Sequence, residues 1–266
     1  MSYARHLTIA AMALLPGTGA ASAQSDPDAL ARQLSNPVAS LISVPLQFNA
    51  DFGAGPGGDG ENLSLKIQPV IPFELSKDWN VISRTIVPLS YEHDIFPDNV
   101  AGLGDITQSF FFSPTQPGPG GIIWGVGPQF LLPTATDSRL GGGKWGLGPT
   151  GLVLMQADKL SVGVLASQLW SVAGEASRPD ISQLFVQPFV SYALPEGQTL
   201  SANLEASYDW NADQWTVPLN LSYSKVFKLG EQPMSFQVGL KKYLAAPDHG
   251  PDWGVRAGLT FLFPER

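Results

Sequence analysis

Segments of alternating hydrophobicity fill most of the sequence and constrain its fold more than any other feature. In residues 253–263 one face is apolar, whereas the other is small, polar or charged and includes Arg256. Such two-residue alternation indicates a β-strand with unlike surroundings on its two faces. We predict twelve strands, near residues 45–53, 62–73, 79–91, 104–113, 122–132, 145–156, 159–171, 182–194, 199–210, 215–227, 233–244 and 253–263.

Two of these segments fit the alternation less well. Residues 159–171 place Leu165 and Leu169 on the face that should be wet, and residues 82–89 have no clean apolar face. The pattern alone also does not say which face of a strand meets water. The alternation therefore fits either a soluble β-domain or a membrane barrel that is apolar outside.

Segment and loop lengths favour the membrane barrel. Segments of this length match the roughly 9 to 11 residues with which a tilted strand crosses a bilayer. Long connections, such as residues 54–61 and 245–252, alternate with tight turns, such as 157–158 and 195–198. Two connections depart from this alternation of lengths. Residues 114–121 are long for a tight turn, and residues 211–214 are short for an outer loop. The pattern predicts an all-β, transmembrane, antiparallel up-and-down β-barrel with periplasmic turns and longer outer loops.

Large aromatic residues support this orientation because they gather at strand ends. A soluble periplasmic β-domain, the alternative, would place them at mid-strand, where burial is deepest. Rows of aromatic rings at both ends are typical of the interfaces between lipid and water. The predicted interface aromatics are Trp79, Tyr91, Trp124, Trp145, Trp170, Trp210, Trp215, Trp253 and Phe263.

Residues 1–23 have the pattern of a cleaved signal peptide. Arg5 precedes an apolar run from Leu7 to Leu15, and the segment ends on Ala21-Ser22-Ala23. Without it the chain has 14 basic and 23 acidic residues, a net charge of −9. We therefore expect export to the outer membrane of a Gram-negative bacterium, and no nucleic-acid partner.

Residues 24–43 are predicted to form a short helical segment before the barrel of residues 44–266. Asp26 suits a helix N-cap, Pro27 the first helical position and Asp28 the positive helix end. Such a segment could plug the periplasmic mouth or remain a mobile tail.

If alternation sets the strand faces, a polar set points into the barrel. This lining would either form a pathway tuned by mixed charges or pair internally to fill the interior. Twelve strands lie between filled eight-stranded and open sixteen-stranded barrels, so width alone does not decide. The predicted lumen-lining residues are Gln47, Asn49, Asp51, Lys66, Gln68, Arg84, Asp105, Gln129, Gln187, Asn203, Glu205, Asn220, Gln237, Lys241 and Arg256.

The sequence contains no complete motif for catalysis, cofactor binding or metal binding. The absence of cysteine excludes thiol catalysis and cysteine metal sites. Gly53, Gly55 and Gly58 match a dinucleotide fingerprint, but no helix follows them. His93 and His249 fall in outer loops, and no Gly-x-Ser-x-Gly elbow occurs. Outer-loop acids match no calcium loop, so we predict no catalytic residues, no cofactor and no metal site.

Several segments together resemble a known family. They are ARQLSNPVASLISVPLQFNADFG, GLGDITQSFFFSP, GPQFLLPTATDSRLGGGKWGLGP, VQPFVSYALP, QWTVPLNLSYSKVFKLGEQP and GPDWGVRAGLTFLFP. In order and spacing they resemble the bacterial outer-membrane family named for a role in the meta pathway of phenol degradation. Its members are often labelled transporter or, misleadingly, neuromedin U. The resemblance implies a barrel that assists uptake of aromatic or other small hydrophobic compounds, and it carries over no functional residues.

Three functions remain open from the sequence. The first is a porin-like, monomeric channel for passive uptake of a small solute, with outer-membrane lipid, lipopolysaccharide and the barrel-assembly machinery as partners. The second is a closed structural or surface-interaction barrel. The third is an outer-membrane lipid hydrolase that depends on His93 or His249. Phe263 also resembles the closing aromatic of the barrel-assembly signal, although three residues follow it.

Overall fold

The computed structural model describes residues 26–264, which form one α-helix, a short 3-10 helix at Pro119–Gly121 and twelve β-strands. The predicted signal peptide lies outside these residues. Helix α1 spans Pro27–Leu34. The uninterrupted strands are β1 Ile42–Ala54, β3 Trp79–His93, β5 Ile122–Leu132, β6 Lys144–Ala157, β7 Leu160–Gly174, β8 Ser182–Leu194, β10 Gln214–Leu229, β11 Gln232–Ala245 and β12 Trp253–Phe263. Three strands are interrupted: β2 Gly60–Ile67 and Val70–Glu74, β4 Val100–Leu103 and Ile106–Pro114, and β9 Gln198–Leu204 and Ala206–Asp209.

The strands close into a barrel. Every strand pairs antiparallel with its neighbours in sequence. The last strand then pairs with the first, from Ile42 opposite Phe263 to Phe52 opposite Trp253. This confirms the predicted twelve-stranded antiparallel barrel with a short N-terminal helix. Closure also leaves no unpaired sheet edge.

The three interruptions lie opposite prolines, a feature that the sequence analysis missed. Gln68 N–H donates to the Pro45 carbonyl over 2.9 Å, and Glu205 N–H donates to the Pro218 carbonyl over 3.1 Å. Gly104 N–H likewise donates to the carbonyl of Pro88. Proline has no N–H to donate in return, so the ladder loses a bond at each place but keeps its alignment.

Apolar side chains cover the outside of the barrel. Of the predicted interface aromatics, eight are more than a third exposed, from Trp79 at 37% to Trp210 at 55%. At the end with the longer loops, Tyr208 packs against Trp210 and Trp215, with ring centroids 4.8 Å apart in both pairs. At the opposite end, Trp79 meets Trp124 edge to face at 5.7 Å. No helix in residues 26–264 has the length and apolarity needed to cross a bilayer.

Helix α1 lies at the end of the barrel that carries the tight turns. The Asp26 side chain caps the helix by accepting from the Asp28 N–H, and Pro27 occupies its first turn. Leu30 and Ala31 are buried against Val226 of β10 and Leu262 of β12. Burial of this apolar face, rather than the intrinsic stability of so short a helix, holds α1 in place.

Candidate functional site

A buried ion pair joins two strands across the barrel interior. Arg256 of β12 donates from Nη1 and Nη2 to the two carboxylate oxygens of Glu205, over 2.8 and 3.0 Å. Its Nε donates to Asn49 Oδ1 over 2.8 Å. Glu205 lies at the interruption of β9, which β10 and β11 separate from β12. Arg256 therefore has its charge neutralised and its fork of donors largely occupied.

A second buried pair lies beside the first. Lys241 Nζ is 3.0 Å from Oδ2 and 2.8 Å from Oδ1 of Asp51. Gly254 leaves room for this carboxylate, because a Cβ there would lie 2.6 Å from the Ala50 carbonyl oxygen and closer still to Asp51. The two pairs together neutralise two cations and two carboxylates inside the barrel.

A chain of hydrogen bonds extends from the first pair around the polar side of the interior. Arg84 Nη2 donates to Gln68 Oε1 over 3.1 Å, and Gln68 Nε2 donates to Gln47 Oε1 over 3.3 Å. Gln47 Nε2 in turn donates to Asn49 Oδ1 over 3.3 Å. Side chains from β3, β2, β1, β12 and β9 are thereby linked from Arg84 to Glu205. Within residues 26–264, neither Arg84 nor the nearby Lys66 forms an ion pair.

The opposite side of the interior carries an apolar cluster among polar side chains such as Gln129 and Gln187. A buried cluster consists of Val38, Ile82, Phe111, Leu152, Leu154 and Leu165, with Val70, Ile123, Phe185 and Phe189 packed against it. Most of these residues belong to β3 through β8. The cluster explains why Leu165 looked misplaced in the sequence: β7 has apolar residues on both faces because it lines this half of the interior. Sequence reasoning missed this wall, since a segment apolar on both faces gives no alternation.

A cavity of about 300 Å³ lies between the two sides. It continues into a second cavity of about 330 Å³ that reaches the segment after α1. Ten predicted lumen residues line the first cavity: Gln47, Lys66, Gln68, Arg84, Gln129, Gln187, Asn203, Glu205, Gln237 and Arg256. Asn49, Asp51, Asn220 and Lys241 are buried beside it and bonded to one another or to that lining.

Asp105 differs from the lumen prediction. It lies at the interruption of β4, where its carboxylate accepts from the N–H groups of Ala135 over 3.1 Å and Gly142 over 2.7 Å. Arg178 binds the other side of the same loop, because its guanidinium donates to the Ser138 and Gly141 carbonyls. Asp105 keeps the parity of the buried Ser109 and Phe111, but its carboxylate is taken up by the loop and does not line the cavity. The loop of residues 133–143 is thereby fixed on both flanks.

Two ion pairs stabilise the outer loops. Arg139 donates from Nε and Nη2 to Asp137 over 2.9 and 2.8 Å, and these hydrogen bonds hold the pKa of Asp137 well below its usual range. Lys144 Nζ is 3.1 Å from Asp180, and its hydrogen bond lowers the pKa of that carboxyl as well. Both carboxylates are consequently ionised at neutral pH.

Helix α1 and the chain after it contact several strands at one end of the barrel. The Asp28 carboxylate accepts from the Gly197 N–H in the β8–β9 turn over 2.5 Å. Gln156 Nε2 donates to the Arg32 carbonyl over 3.0 Å, and Asn80 donates to Ser40 over 3.1 Å. Val38 then inserts into the apolar cluster. These contacts tie the segment to strands on several sides of the barrel.

The two histidines of residues 26–264 lie outside the cavity. His93 ends β3 and has Nδ1 3.1 Å from the Asp94 carboxylate. His249 lies in the β11–β12 loop with a positive φ of 63°. Neither forms a side-chain hydrogen bond with a serine among the described residues. In this part of the chain, no three His, Cys, Asp or Glu side chains are grouped so that they could hold a metal ion.

Comparison with solved structures places the fold among outer-membrane barrels. The COG4313 outer membrane channel from Pseudomonas putida F1 is similar, with a TM-score of 0.67 and 13% identity over 84% of this chain and 96% of that one. Outer membrane phospholipase A from Escherichia coli has a TM-score of 0.50 and 11% identity over 82% and 89%. KdgM porin has a TM-score of 0.48 and 12% identity over 83% and 99%. No protein-family model and no curated protein matches the chain.

Proposed function

We propose that this protein is an outer-membrane channel that admits a small solute by passive diffusion. The observation that carries the proposal is the cavity between a polar and an apolar wall inside a closed barrel. A pathway needs space and groups that can replace the hydration of a solute. The interior offers both, in the chain of amides and charges from Arg84 to Glu205.

The fold and the resemblance seen in the sequence support the remaining parts of the proposal. The similarity to the COG4313 outer membrane channel agrees with a channel in the outer membrane. The resemblance to the phenol-degradation family favours aromatic or other small hydrophobic solutes. Export by a cleaved signal peptide, contact with lipid and lipopolysaccharide, and insertion by the barrel-assembly machinery complete the proposal.

Liposome swelling tests this function directly. Vesicles that contain the purified protein are diluted into phenol-like solutes or sugars, and empty vesicles serve as the control. A channel should accelerate swelling with the small aromatic solutes. Swelling equal to that of empty vesicles for every solute would contradict a transport role.

A closed structural barrel is the second candidate, and the buried ion pairs favour it. Arg256 with Glu205 and Lys241 with Asp51 satisfy one another, while Val38 and α1 fill one end. A closed barrel should show no conductance in planar bilayers. Neutralising Glu205 would then lower its stability without any change in permeability.

A lipid hydrolase is the least supported function. Its architecture agrees with the similarity to outer membrane phospholipase A. Neither His93 nor His249 forms a hydrogen bond with a serine side chain of residues 26–264. Lipid hydrolysis by the purified protein that disappeared on substitution of either histidine would reverse this ranking.

A further inference from the structure

We propose that the interior cavity binds a small organic carboxylate with an aromatic or aliphatic body. The carboxylate would lie toward Lys66 and Arg84, and the body would pack on the wall that includes Leu165 and Phe185. This inference rests on the proposed function, because it names the class of solute that the channel would take. It concerns binding, which can be measured separately from passage.

The charge around the cavity points to an anion. The cavity is lined by three cations, Lys66, Arg84 and Arg256, but by only one carboxylate, Glu205. Arg256 and Glu205 neutralise each other. Lys241 and Asp51 do the same beside the cavity. Two positive charges therefore remain in the lining of a chain whose overall charge is −8.

Both remaining cations have donors to spare. Arg84 is partly buried and uses one side-chain hydrogen bond, to Gln68, so much of its guanidinium edge has no partner within residues 26–264. Lys66 is also partly buried and forms no side-chain hydrogen bond with the described residues. Cations that are withdrawn from water are costly unless an anion pairs with them. A guanidinium fork matches a carboxylate especially well.

The apolar wall determines the rest of the ligand. Phe111, Leu165 and Phe185 line the same cavity as Lys66 and Arg84. A ligand with an apolar body would cover this wall, whereas a fully hydrated ion would leave it wet. The two contiguous cavities, of about 300 and 330 Å³, are large enough for a small ligand, since binding pockets are roughly 300 to 1,000 Å³.

Other ligand classes fit less well. A cationic ligand would need a free carboxylate, but Asp51 and Glu205 are already paired. A sugar, which is polar on every side, would leave Phe111, Leu165 and Phe185 without an apolar partner. A neutral aromatic compound would leave Lys66 and Arg84 without a counter-charge. The carboxylate with an apolar body is the class that satisfies both walls.

Binding to the full-length purified protein in detergent tests the inference. We would titrate 4-fluorobenzoate, 4-fluorobenzamide and acetate, with fluorine NMR for the first two and calorimetry for all three. Fluorobenzoate should bind at least about tenfold more tightly than the neutral amide, which lacks the charge, and than acetate, which lacks the body. Equal affinity for fluorobenzoate and fluorobenzamide would overturn the proposal.

Matched variants locate the site. Arg84→Gln and Lys66→Gln should each weaken fluorobenzoate binding by about tenfold, whereas Lys225→Gln should not. Lys225 is a suitable control because it lies on the outside of β10, paired with the exposed Glu196. Arg84→Lys, which keeps the charge, replaces Arg84→Gln if that variant does not fold. An equal loss in the Lys225 variant would refute the assignment to the cavity.

Liposome swelling separates this inference from the proposed channel. Entry of benzoate and benzamide at the same rate, together with equal binding, would contradict the carboxylate site and leave the channel standing. Specific binding of fluorobenzoate without entry of any solute would keep the site and contradict the channel. Faster entry of benzoate, lost in the Arg84 and Lys66 variants, is the result that we expect.

Discussion

Arg256 and Glu205 form a bidentate ion pair inside the barrel, although β10 and β11 lie between their strands. The Arg256 side chain is 6% exposed and that of Glu205 is 21% exposed. This pair links β9 and β12, which share no backbone hydrogen bonds, and it therefore fixes the distance between them. The structure therefore indicates that the interior contributes to stability as well as to any pathway.

Removal of the Glu205 charge should destabilise the barrel. Glu205→Gln leaves the Arg256 guanidinium buried without its counter-ion, and breaking such a pair costs about 3 to 5 kcal/mol. Urea unfolding in lipid vesicles, followed by tryptophan fluorescence, measures the free energy of unfolding. Glu196→Gln is the matched control, because its pair with Lys225 is exposed and is worth less than about 1 kcal/mol. Equal effects in the two variants would contradict the role of the buried pair.

A methyl group at Gly254 should disturb the second ion pair. In Gly254→Ala the new Cβ would press on the Asp51 carboxylate and the Ala50 carbonyl, so Asp51 would have to move away from Lys241. We expect a lower free energy of unfolding by about 1 to 3 kcal/mol, as for other overpacked sites. In the control Gly258→Ala the nearest atom lies 3.4 Å from the new Cβ, an ordinary contact. If both variants unfolded with the same urea midpoint as the wild type, a side chain at position 254 would not disturb the Asp51–Lys241 pair.

The outer loop should respond to acid through Asp137. Hydrogen bonds from Arg139 lower the pKa of Asp137, so the folded loop is stabilised above the ordinary aspartate pKa of about 3.9. This stabilisation should be lost as the pH falls through the lowered folded pKa. A carbon-13 NMR titration of the Asp137 carboxyl should give a midpoint below 3.9, and Arg139→Gln should return it toward about 3.9. An unchanged midpoint in that variant would show that Arg139 is not the cause.

Deletion of residues 24–36 should increase conductance. The deletion removes α1 and with it the Asp28 contact to Gly197 and the packing of Leu30 on Leu262. Single-channel recording in planar bilayers compares the deletion with the wild type. Current that is unchanged would mean that the helix does not obstruct the pathway.

Phe263 should assist assembly of the barrel. It closes β12, faces outward and is 44% exposed. Phe263→Ala should reduce the heat-modifiable barrel in the outer membrane if this aromatic is part of the assembly signal. Phe112→Ala is the control, because Phe112 is similarly exposed, at 40%, but lies on β4. A normal yield from the Phe263 variant would argue against that signal.

The sequence predicted the strands better than it predicted the interior. Alternation correctly predicted that Arg256 points inward. The residues on its face of β12 are mostly small or polar, whereas those on the other face are apolar. It also placed Leu165 on the inward face, but the expectation that this face is polar was wrong, because Ile82 and Leu165 belong to an apolar cluster of the interior. The segment of residues 82–89 lacked a clean face for this reason. The partners of Glu205 also could not be predicted, since pairing across two intervening strands depends on barrel width and shear.

The position of α1 links the two ends of the barrel sequence. Leu30 precedes the first strand, whereas Leu262 belongs to the last strand, and the two meet in one buried cluster with Val226. The docking surface for the helix is therefore incomplete until β12 has joined β1. Full burial of Leu30 therefore requires the last strand, so the packing of the N-terminal helix is coupled to the completion of the wall.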